Sequence, residues 1–208
     1  DGDQGLNTGG MGAYSPAPAL DAAMEKTVTE KVLRPLVAGM AAEGIDFKGI
    51  IYAGIMITPD GPQVLEFNVR LGDPETQPLL MRLKSDLVPV MLAAIDGKLG
   101  SVSLEWDTRP SVCVVMAAGG YPESYQKGKP ITGLGQAAKM QDVVVFHAGT
   151  SKKDNQIVTS GGRVLGVTAL GDDIRQAVDR VYAATQVINF DGAHYRTDIA
   201  HRALARLS

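Results

Sequence analysis

Residues 49–77 read GIIYAGIMITPDGPQVLEFNVRLGDPETQ, and this stretch indicates the fold more clearly than any other. Two mainly apolar runs, at 49–57 and 63–69, flank the turn-forming residues TPDGP at 58–62. Apolar runs of this length on either side of a proline- and glycine-containing turn predict a β-hairpin. The polar loop RLGDPETQ follows the second strand directly. We therefore expect a hairpin whose second strand runs straight into a polar loop.

The second strand carries Glu66, Phe67 and Asn68 in succession. Because strand residues two apart face the same side, the Glu66 carboxylate and the Asn68 amide oxygen should project together, with Phe67 packed behind them. Hard oxygen donors suit Mg²⁺, which keeps further positions open for substrate phosphates. A strand with a solvated polar face would carry the same residues. The loop that follows favours the metal interpretation.

That loop supplies three charged side chains immediately after the strand. Arg70 is a planar donor suited to phosphate or carboxylate oxygens. Asp73 and Glu75 could hold a substrate ammonium group. Alternatively, Asp73 caps a proline-initiated turn and Glu75 is an acid in the first turn of a helix. The sequence leaves both possibilities open.

The first 18 residues, DGDQGLNTGGMGAYSPAP, have little periodicity and are expected to form a loop. Successive backbone N–H groups beside glycines can cradle an anion, because no Cβ blocks its approach. The residues that could do so are Asn7, Thr8, Gly9, Gly10, Met11 and Gly12. They match neither the Walker A pattern nor a G-x-G-x-x-G turn before a helix. A flexible loop is the alternative.

Helical periodicity marks two further regions. Asp21 can cap a helix that runs to about Glu43 and ends at Gly44. Its apolar stripe consists of Met24, Val28, Val32, Leu36 and Met40. Residues 78–97 predict a helix in two pieces, with Ser85 as a possible cap of the second.

The second half of the chain has more strand-like patterns. Strands are expected near 111–118, 143–148, 156–159 and 163–170. A helix capped by Asp172 or Asp173 should follow, over about 172–188. The change of character places a domain boundary near residue 100, between a first α+β part at 1–99 and a small α+β domain at 100–208.

Composition excludes several classes of protein. The 208 residues carry a formal net charge of −3, so no positive field attracts nucleic acid or anionic lipid. No apolar run reaches the roughly 20 residues that span a bilayer. The single cysteine, Cys113, rules out an internal disulfide and is expected to be a buried, inert thiol. The expected compartment is the cytoplasm.

The segments DGDQGLNTGGMGAYSPAP, YAGIMI, GPQVLEFNVRLGDPETQ and GTSKKDNQIVTSGGRVLGVTALG occur in this order along the chain. Together they resemble the phosphoribosylamine–glycine ligases of the ATP-grasp superfamily, over essentially the whole chain. The resemblance implies an α+β fold. Residues 1–99 would be the C-terminal part of an ATP-grasp domain, an antiparallel sheet with helices, and residues 100–208 a small mixed α+β domain.

The resemblance also implies a reaction of purine biosynthesis. ATP phosphorylates glycine, and 5-phosphoribosylamine attacks the acyl phosphate to give glycinamide ribonucleotide, ADP and phosphate. Glu66 and Asn68 would bind Mg²⁺ or Mn²⁺, and Arg70 would be catalytic. Substrate contacts would come from Asp73, Glu75 and residues 7–12.

Two departures qualify this expectation. The strand at 49–57 has no acid, so any further metal ligand must be phosphate, water or another loop. The family's N-terminal half, which completes the grip on ATP, is not in the chain, so the chain alone is expected to be inactive. The alternatives are a non-catalytic binding or scaffold module, and a related ATP-grasp ligase or carboxylase that acts on another acid.

Overall fold

The computed structural model describes residues 1–206, and these fall into two compact units that we treat separately. The sheet unit is built from Asp1–Pro16, Asp73–Arg82 and the described residues from Asp107 onward. The hairpin unit is built from Ala17–Gly72 and Leu83–Trp106. Each unit is thus assembled from segments that are not continuous in the sequence. The domain boundary near residue 100 stays a prediction.

The described residues form antiparallel strands and mostly short helices, which confirms the α+β prediction. The strands are β1 (Gly12–Ser15), β2 (Tyr52–Thr58), β3 (Gly61–Asn68), β4 (Ser111–Ala117), β5 (Val143–His147), β6 (Thr150–Lys153), β7 (Gln156–Thr159) and β8 (Arg163–Leu170). The helices are α1 (Ala22–Val28), α2 (Arg34–Ala42), α3 (Thr76–Arg82), α4 (Leu87–Ile95), α5 (Leu134–Ala137), α6 (Ile174–Gln186) and α7 (His201–Ala205). A π-helical segment, Thr29–Leu33, joins α1 to α2.

The sheet unit is organised around a four-stranded sheet in the order β1-β4-β8-β5. Every residue of β4 is buried. Its alternate residues Val112, Val114 and Met116 belong to the core cluster that includes α6. On the other face, a Cβ at Gly166 of β8 would meet both Cys113 Sγ and the Gln77 side chain of α3. The sheet therefore has a helix on each face, which explains why β4 and β8 are apolar on both sides.

Helix α6 follows the predicted pattern. Of the two candidate caps, Asp173 is the one used, since its Oδ1 accepts from the Gln176 N–H at 2.8 Å. Its buried residues include Ile174, Ala177 and Val181, which recur at helical spacing and face the sheet.

The long helical segment of the hairpin unit also agrees with the sequence. Asp21 caps α1 by accepting from the Met24 N–H at 2.8 Å, and Gly44 ends the segment with a φ of +75°. The predicted stripe from Met24 to Met40 is the more buried side, and Val28 is its most buried residue. The π-helical segment keeps this stripe continuous.

The predicted hairpin is formed by β2 and β3, with Thr58 paired to Gly61 at the turn. Gly54 pairs with Glu66 and Ile55 with Val64, so Leu65 is an extra residue, a β-bulge just before the predicted metal pair.

The cap of α4 and the presence of two strands differ from the sequence-based expectation. Asp86, not Ser85, caps α4 by accepting from the Val88 N–H at 2.9 Å, because Asp86 is the extended residue directly before the helix. Ser85 Oγ instead accepts from the Glu105 N–H at 2.7 Å. Strands β1 and β6 were not expected, since GAYS and TSKK lack a clear strand pattern.

Along residues 1–206, none of the helices has both the length and the apolar character needed to cross a membrane.

Candidate functional site

The predicted metal pair lies at the end of β3 in the hairpin unit. Asn68 Nδ2 donates to Glu66 Oε1 at 2.9 Å, so the two side chains share one side of the strand, as predicted. Phe67 was expected to pack behind them, and that expectation is wrong, because its side chain is 42% exposed. The hairpin alone does not cover the opposite side of the strand at this point.

The donor chemistry of this pair fits a divalent cation. A carboxylate and an amide offer hard oxygen atoms, as Mg²⁺ requires. A shared cation would need the Asn68 amide oxygen on the side where its nitrogen now meets Glu66. Rotation of the Asn68 side-chain amide by a half turn about its terminal torsion exchanges the positions of its oxygen and nitrogen atoms, and this torsion is soft. Within the described part of the chain, no group of three or more His, Cys, Asp or Glu residues could hold a metal ion.

Arg70 follows β3 in the same unit. Its Nη1 donates to the Leu71 carbonyl at 2.9 Å, and the side chain is exposed. Arg70 also lines an apolar cavity of about 560 Å³, together with Ile50, Val90 and Met91. Arg70 therefore borders the same cavity as apolar residues of α4. Its guanidinium has five N–H donors, so it can bind an anionic ligand as well as the Leu71 carbonyl.

The glycine loop at residues 7–12 belongs to the sheet unit, and its C-terminal end is packed against that unit. Met11 is buried, and its carbonyl accepts from the Val115 N–H of β4 at 2.9 Å. Gly12 begins β1, where a Cβ would lie 2.6 Å from Ile199 Cδ1. The alternative of a wholly flexible loop therefore does not hold for Met11 and Gly12.

The same loop borders a cavity of about 430 Å³ within the sheet unit. The loop residues that line it are Asn7, Thr8, Gly10, Met11 and Gly12. Two of the N–H groups proposed to cradle an anion already have partners. The Gly9 N–H donates to Tyr121 Oη at 3.1 Å, and the Gly10 N–H donates to Thr8 Oγ1 at 3.3 Å. Substrate contact by this loop remains a prediction.

Asp73 and Glu75 also lie in the sheet unit. Asp73 Oδ2 forms an ion pair with Arg163 Nη2 at 2.8 Å. Glu75 directly precedes α3, and its carbonyl accepts from the Leu79 N–H at 3.3 Å. Sequence reasoning did not single out Arg163. Its one signal was a charged residue at the head of the apolar run VLGVTAL.

Another arginine of the sheet unit, Arg196, lines the cavity of about 430 Å³ that the glycine loop borders. Its Nε and Nη2 atoms donate to the two Asp198 carboxylate oxygens, both at 2.7 Å, and Nη2 reaches Asp3 Oδ1 at 3.0 Å. The hydrogen bonds from Arg196 hold the pKa of Asp198 well below its ordinary value. The positive charge of Arg196 is thus balanced by two carboxylates.

Cys113 behaves as expected. It is fully buried in β4, and burial raises the pKa of its thiol to about 12. The thiol is therefore protonated and unreactive at neutral pH.

Comparison with known proteins identifies the class first. Residues 1–76 match the model of the phosphoribosylglycinamide synthetase ATP-grasp (A) domain, so the hairpin with its Glu66–Asn68 pair belongs to an ATP-grasp protein. Residues 111–202 match the model of the phosphoribosylglycinamide synthetase C domain. The two models together cover most of the chain, which therefore belongs to the phosphoribosylglycinamide synthetase family.

Individual relatives agree with this placement. The chain is 57% identical over 205 residues to a phosphoribosylamine–glycine ligase of Rhodopirellula baltica, covering 98% of this chain and 47% of the relative. The crystal structure of the phosphoribosylamine–glycine ligase of Thermotoga maritima matches with a TM-score of 0.80 and 36% identity, over 96% of this chain and 49% of that one. A Campylobacter jejuni biotin carboxylase, 15% identical over 90% of this chain and 41% of that one, shares the fold with a TM-score of 0.60. The chain spans about half the length of the curated relatives it matches.

Proposed function

We propose that this chain is the C-terminal half of a phosphoribosylamine–glycine ligase. The complete enzyme would join glycine to 5-phosphoribosylamine with ATP, giving glycinamide ribonucleotide, ADP and phosphate. The observation that carries the proposal is the 57% identity to the Rhodopirellula baltica ligase across 98% of the chain. The partner implied by the relatives' length is an N-terminal half that completes the ATP site.

In this proposal the hairpin unit binds the metal and phosphates. Glu66 and Asn68 would hold Mg²⁺ or Mn²⁺, which would neutralise charge on the ATP phosphates when bound. The 2.9 Å contact between the two side chains supports a common task. Arg70 would place a fixed positive charge near the transferring phosphoryl group, where negative charge accumulates.

The sheet unit would supply the substrate side. Asn7, Thr8 and Gly10 border a cavity of about 430 Å³, a volume suited to a small polar metabolite. Asp73 and Glu75 place carboxylates in the turn before α3. The reaction requires two substrates to be held in line for attack on the acyl phosphate, and ordered loops are a means of doing so.

Reconstitution tests the function directly. We would co-express this chain with the N-terminal half of the Rhodopirellula baltica ligase, a combination we call the reconstituted ligase. ADP release that depends on both glycine and 5-phosphoribosylamine, with glycinamide ribonucleotide as product, is the expected result. Absence of product with every acid tried would support a non-catalytic module instead. Product with another acid but not glycine would indicate a related ligase or carboxylase.

The metal assignment has its own test in the reconstituted ligase. Glu66→Ala should lower kcat about 100-fold and raise the Mg²⁺ concentration needed for half-maximal rate, because one of two protein ligands is lost. The matched control is Glu105→Ala, which removes an exposed carboxylate of the same unit that only pairs with Lys84 at 3.7 Å. Equal rates and equal Mg²⁺ dependence in the two variants would refute the assignment.

A further inference from the structure

One guanidinium in the sheet unit holds two distant loops. Arg163 begins β8, next to the Gly161–Gly162 corner. Its Nη1 donates to the carbonyls of Gly9 at 2.6 Å, Asp73 at 2.9 Å and Gly10 at 3.3 Å. Its Nη2 donates to Asp73 Oδ2 at 2.8 Å. A single side chain thus binds three backbone carbonyls and one carboxylate.

The glycine loop is also held from its other side. The Gly9 N–H donates to Tyr121 Oη at 3.1 Å, so both polar groups of Gly9 have partners. Tyr121 in turn lies against Gly162, where a Cβ would come within 2.4 Å of its ring. The residue before Arg163 therefore leaves space for the tyrosine that binds the same loop.

The two loops are packed at van der Waals contact. A Cβ on Gly9 would lie 3.1 Å from Arg163 Cζ, and a Cβ on Gly10 would lie 2.6 Å from Pro74 Cδ. Gly10 also has a φ of +101°, a conformation that other residues rarely adopt. We call Arg163 with its contacts to Gly9, Gly10 and Asp73 the clamp. The clamp brings the two loops so close that a residue larger than glycine would not fit at Gly9 or Gly10 without a shift of its neighbours.

The clamp crosses the boundary between the two family models. Gly9, Gly10 and Asp73 lie in residues matched by the ATP-grasp (A) domain model, whereas Arg163 and Tyr121 lie in residues matched by the C domain model. The region matched by the C domain model thus supplies the side chains that position two loops of the region matched by the ATP-grasp (A) domain model.

We propose that Arg163 is a positioning residue that holds the glycine loop and the Asp73 turn together as one substrate-binding surface. The inference rests on the proposed ligase function. It assigns the Asp73 carboxylate to the clamp instead of to a substrate ammonium. Because Arg163 presents a rigid fork to three carbonyls and a carboxylate, lysine cannot replace it.

A double-mutant cycle in the reconstituted ligase tests this assignment. Arg163→Gln and Asp73→Asn should each lower kcat/KM for glycine and 5-phosphoribosylamine about tenfold, since misplaced loops misalign the substrates. The double variant should lose about tenfold as well, because either change opens the same clamp. A loss of about 100-fold in the double variant would overturn the proposal, since Asp73 would then act independently of Arg163. Full activity in Arg163→Lys would also overturn it.

A second measurement does not depend on activity. Amide hydrogen exchange of this chain reports whether Arg163 orders the loop. Arg163→Gln should accelerate exchange at Gly9 and Gly10 about tenfold or more, with β4 amides unchanged. Arg175→Gln, which removes an exposed arginine of α6, is the matched control and should leave loop exchange unaltered. Unchanged loop exchange in Arg163→Gln would reject the clamp even if the ligase is active. An inactive wild-type reconstitution with accelerated loop exchange would reject only the proposed function.

Discussion

The sheet unit and the hairpin unit bury their apolar side chains to very different degrees. In the sheet unit, β4 and most of β8 are buried, and a continuous cluster joins them to α6. In the hairpin unit, Val28 is the one buried hydrophobic residue among those the structure describes. Leu65 of β3, for example, is 64% exposed. Both units contain regular strands and helices, so the difference lies in what covers them.

This difference shows that a sequence can form regular strands and helices without burying their apolar side chains in a core of their own. Burial stabilises by about 25 cal/mol per Å² of apolar surface removed from water. The sheet unit obtains this stabilisation from its own helices, on both faces of the sheet. The hairpin unit leaves large apolar side chains on β3 and α4 in contact with solvent, a pattern typical of surfaces that bind another element. The proposed N-terminal half would provide such an element.

The largest expected effect contrasts two leucines on strands. Leu165→Ala in β8 should lower the free energy of unfolding by about 3 kcal/mol, because Leu165 is fully buried and its truncation leaves a cavity in the core. Leu65→Ala in β3 should lower it by less than about 0.5 kcal/mol, since the side chain is already largely in water. Urea unfolding followed by circular dichroism measures both.

Equal losses in these two variants would break the comparison. They would mean that Leu65 is covered in solution and that the hairpin unit has a core of its own. Repeating the measurement with the N-terminal half present sharpens the comparison, because a leucine that becomes covered should then cost more when it is truncated.

Local patterns explain which features could be predicted. The period of two in strands placed Glu66 and Asn68 on one side of β3, and the 2.9 Å contact between them confirms this. Helical spacing similarly identified the stripe around Val28, which is the more buried side of its helical segment. The apolar run at Cys113 indicated a buried strand and an inert thiol. Each of these features depends on residues that are close in the chain.

Features that depend on distant residues were not predictable. Arg163 contacts Gly9 and Asp73, which are 154 and 90 positions away in the chain, and no local pattern encodes either contact. Strand β1 exists because its residues pair with β4, as Gly12 does with Val114. The exposure of Phe67 was missed for the same reason, since period two gives its side of the strand but not what covers that side.

The next effect contrasts two glycines. Gly10→Ala should lower the free energy of unfolding by about 2 kcal/mol, because its φ is +101° and a Cβ would lie 2.6 Å from Pro74 Cδ. Gly39→Ala in α2 should raise it by about 0.5–1 kcal/mol, since its Cβ would meet no atom within 4 Å and alanine favours a helix. For a chain of this size, thermal unfolding should shift by about 4–8 °C downward and about 2 °C upward respectively. A neutral Gly10→Ala would show that the loop does not keep this tight packing in solution.

The smallest effect contrasts two ion pairs through pH. Hydrogen bonds from Arg196 hold the folded-state pKa of Asp198 below its ordinary value of 3.8. As pH falls, Asp198 is therefore protonated in the unfolded chain before it is protonated in the folded chain. The stabilisation from the ion pair is present above about pH 4 and is lost as pH falls further. The loss should be about 1 kcal/mol between pH 5 and pH 2.5, because the pair is partly solvated. Asp198→Asn should flatten this part of the pH profile of urea unfolding.

Glu30→Gln is the matched change in the hairpin unit, where Glu30 pairs with Lys26 at 4.0 Å and both side chains are well exposed. An exposed pair at this separation contributes less than about 0.5 kcal/mol, so the variant should keep the wild-type pH profile. If Glu30→Gln flattened the profile as much as Asp198→Asn, acid sensitivity would belong equally to both units. The contrast between a unit that orders its charged side chains and one that leaves them in solvent would then not extend to electrostatics. Constant ionic strength across the series is essential, because salt screens the exposed pair more than the partly buried one.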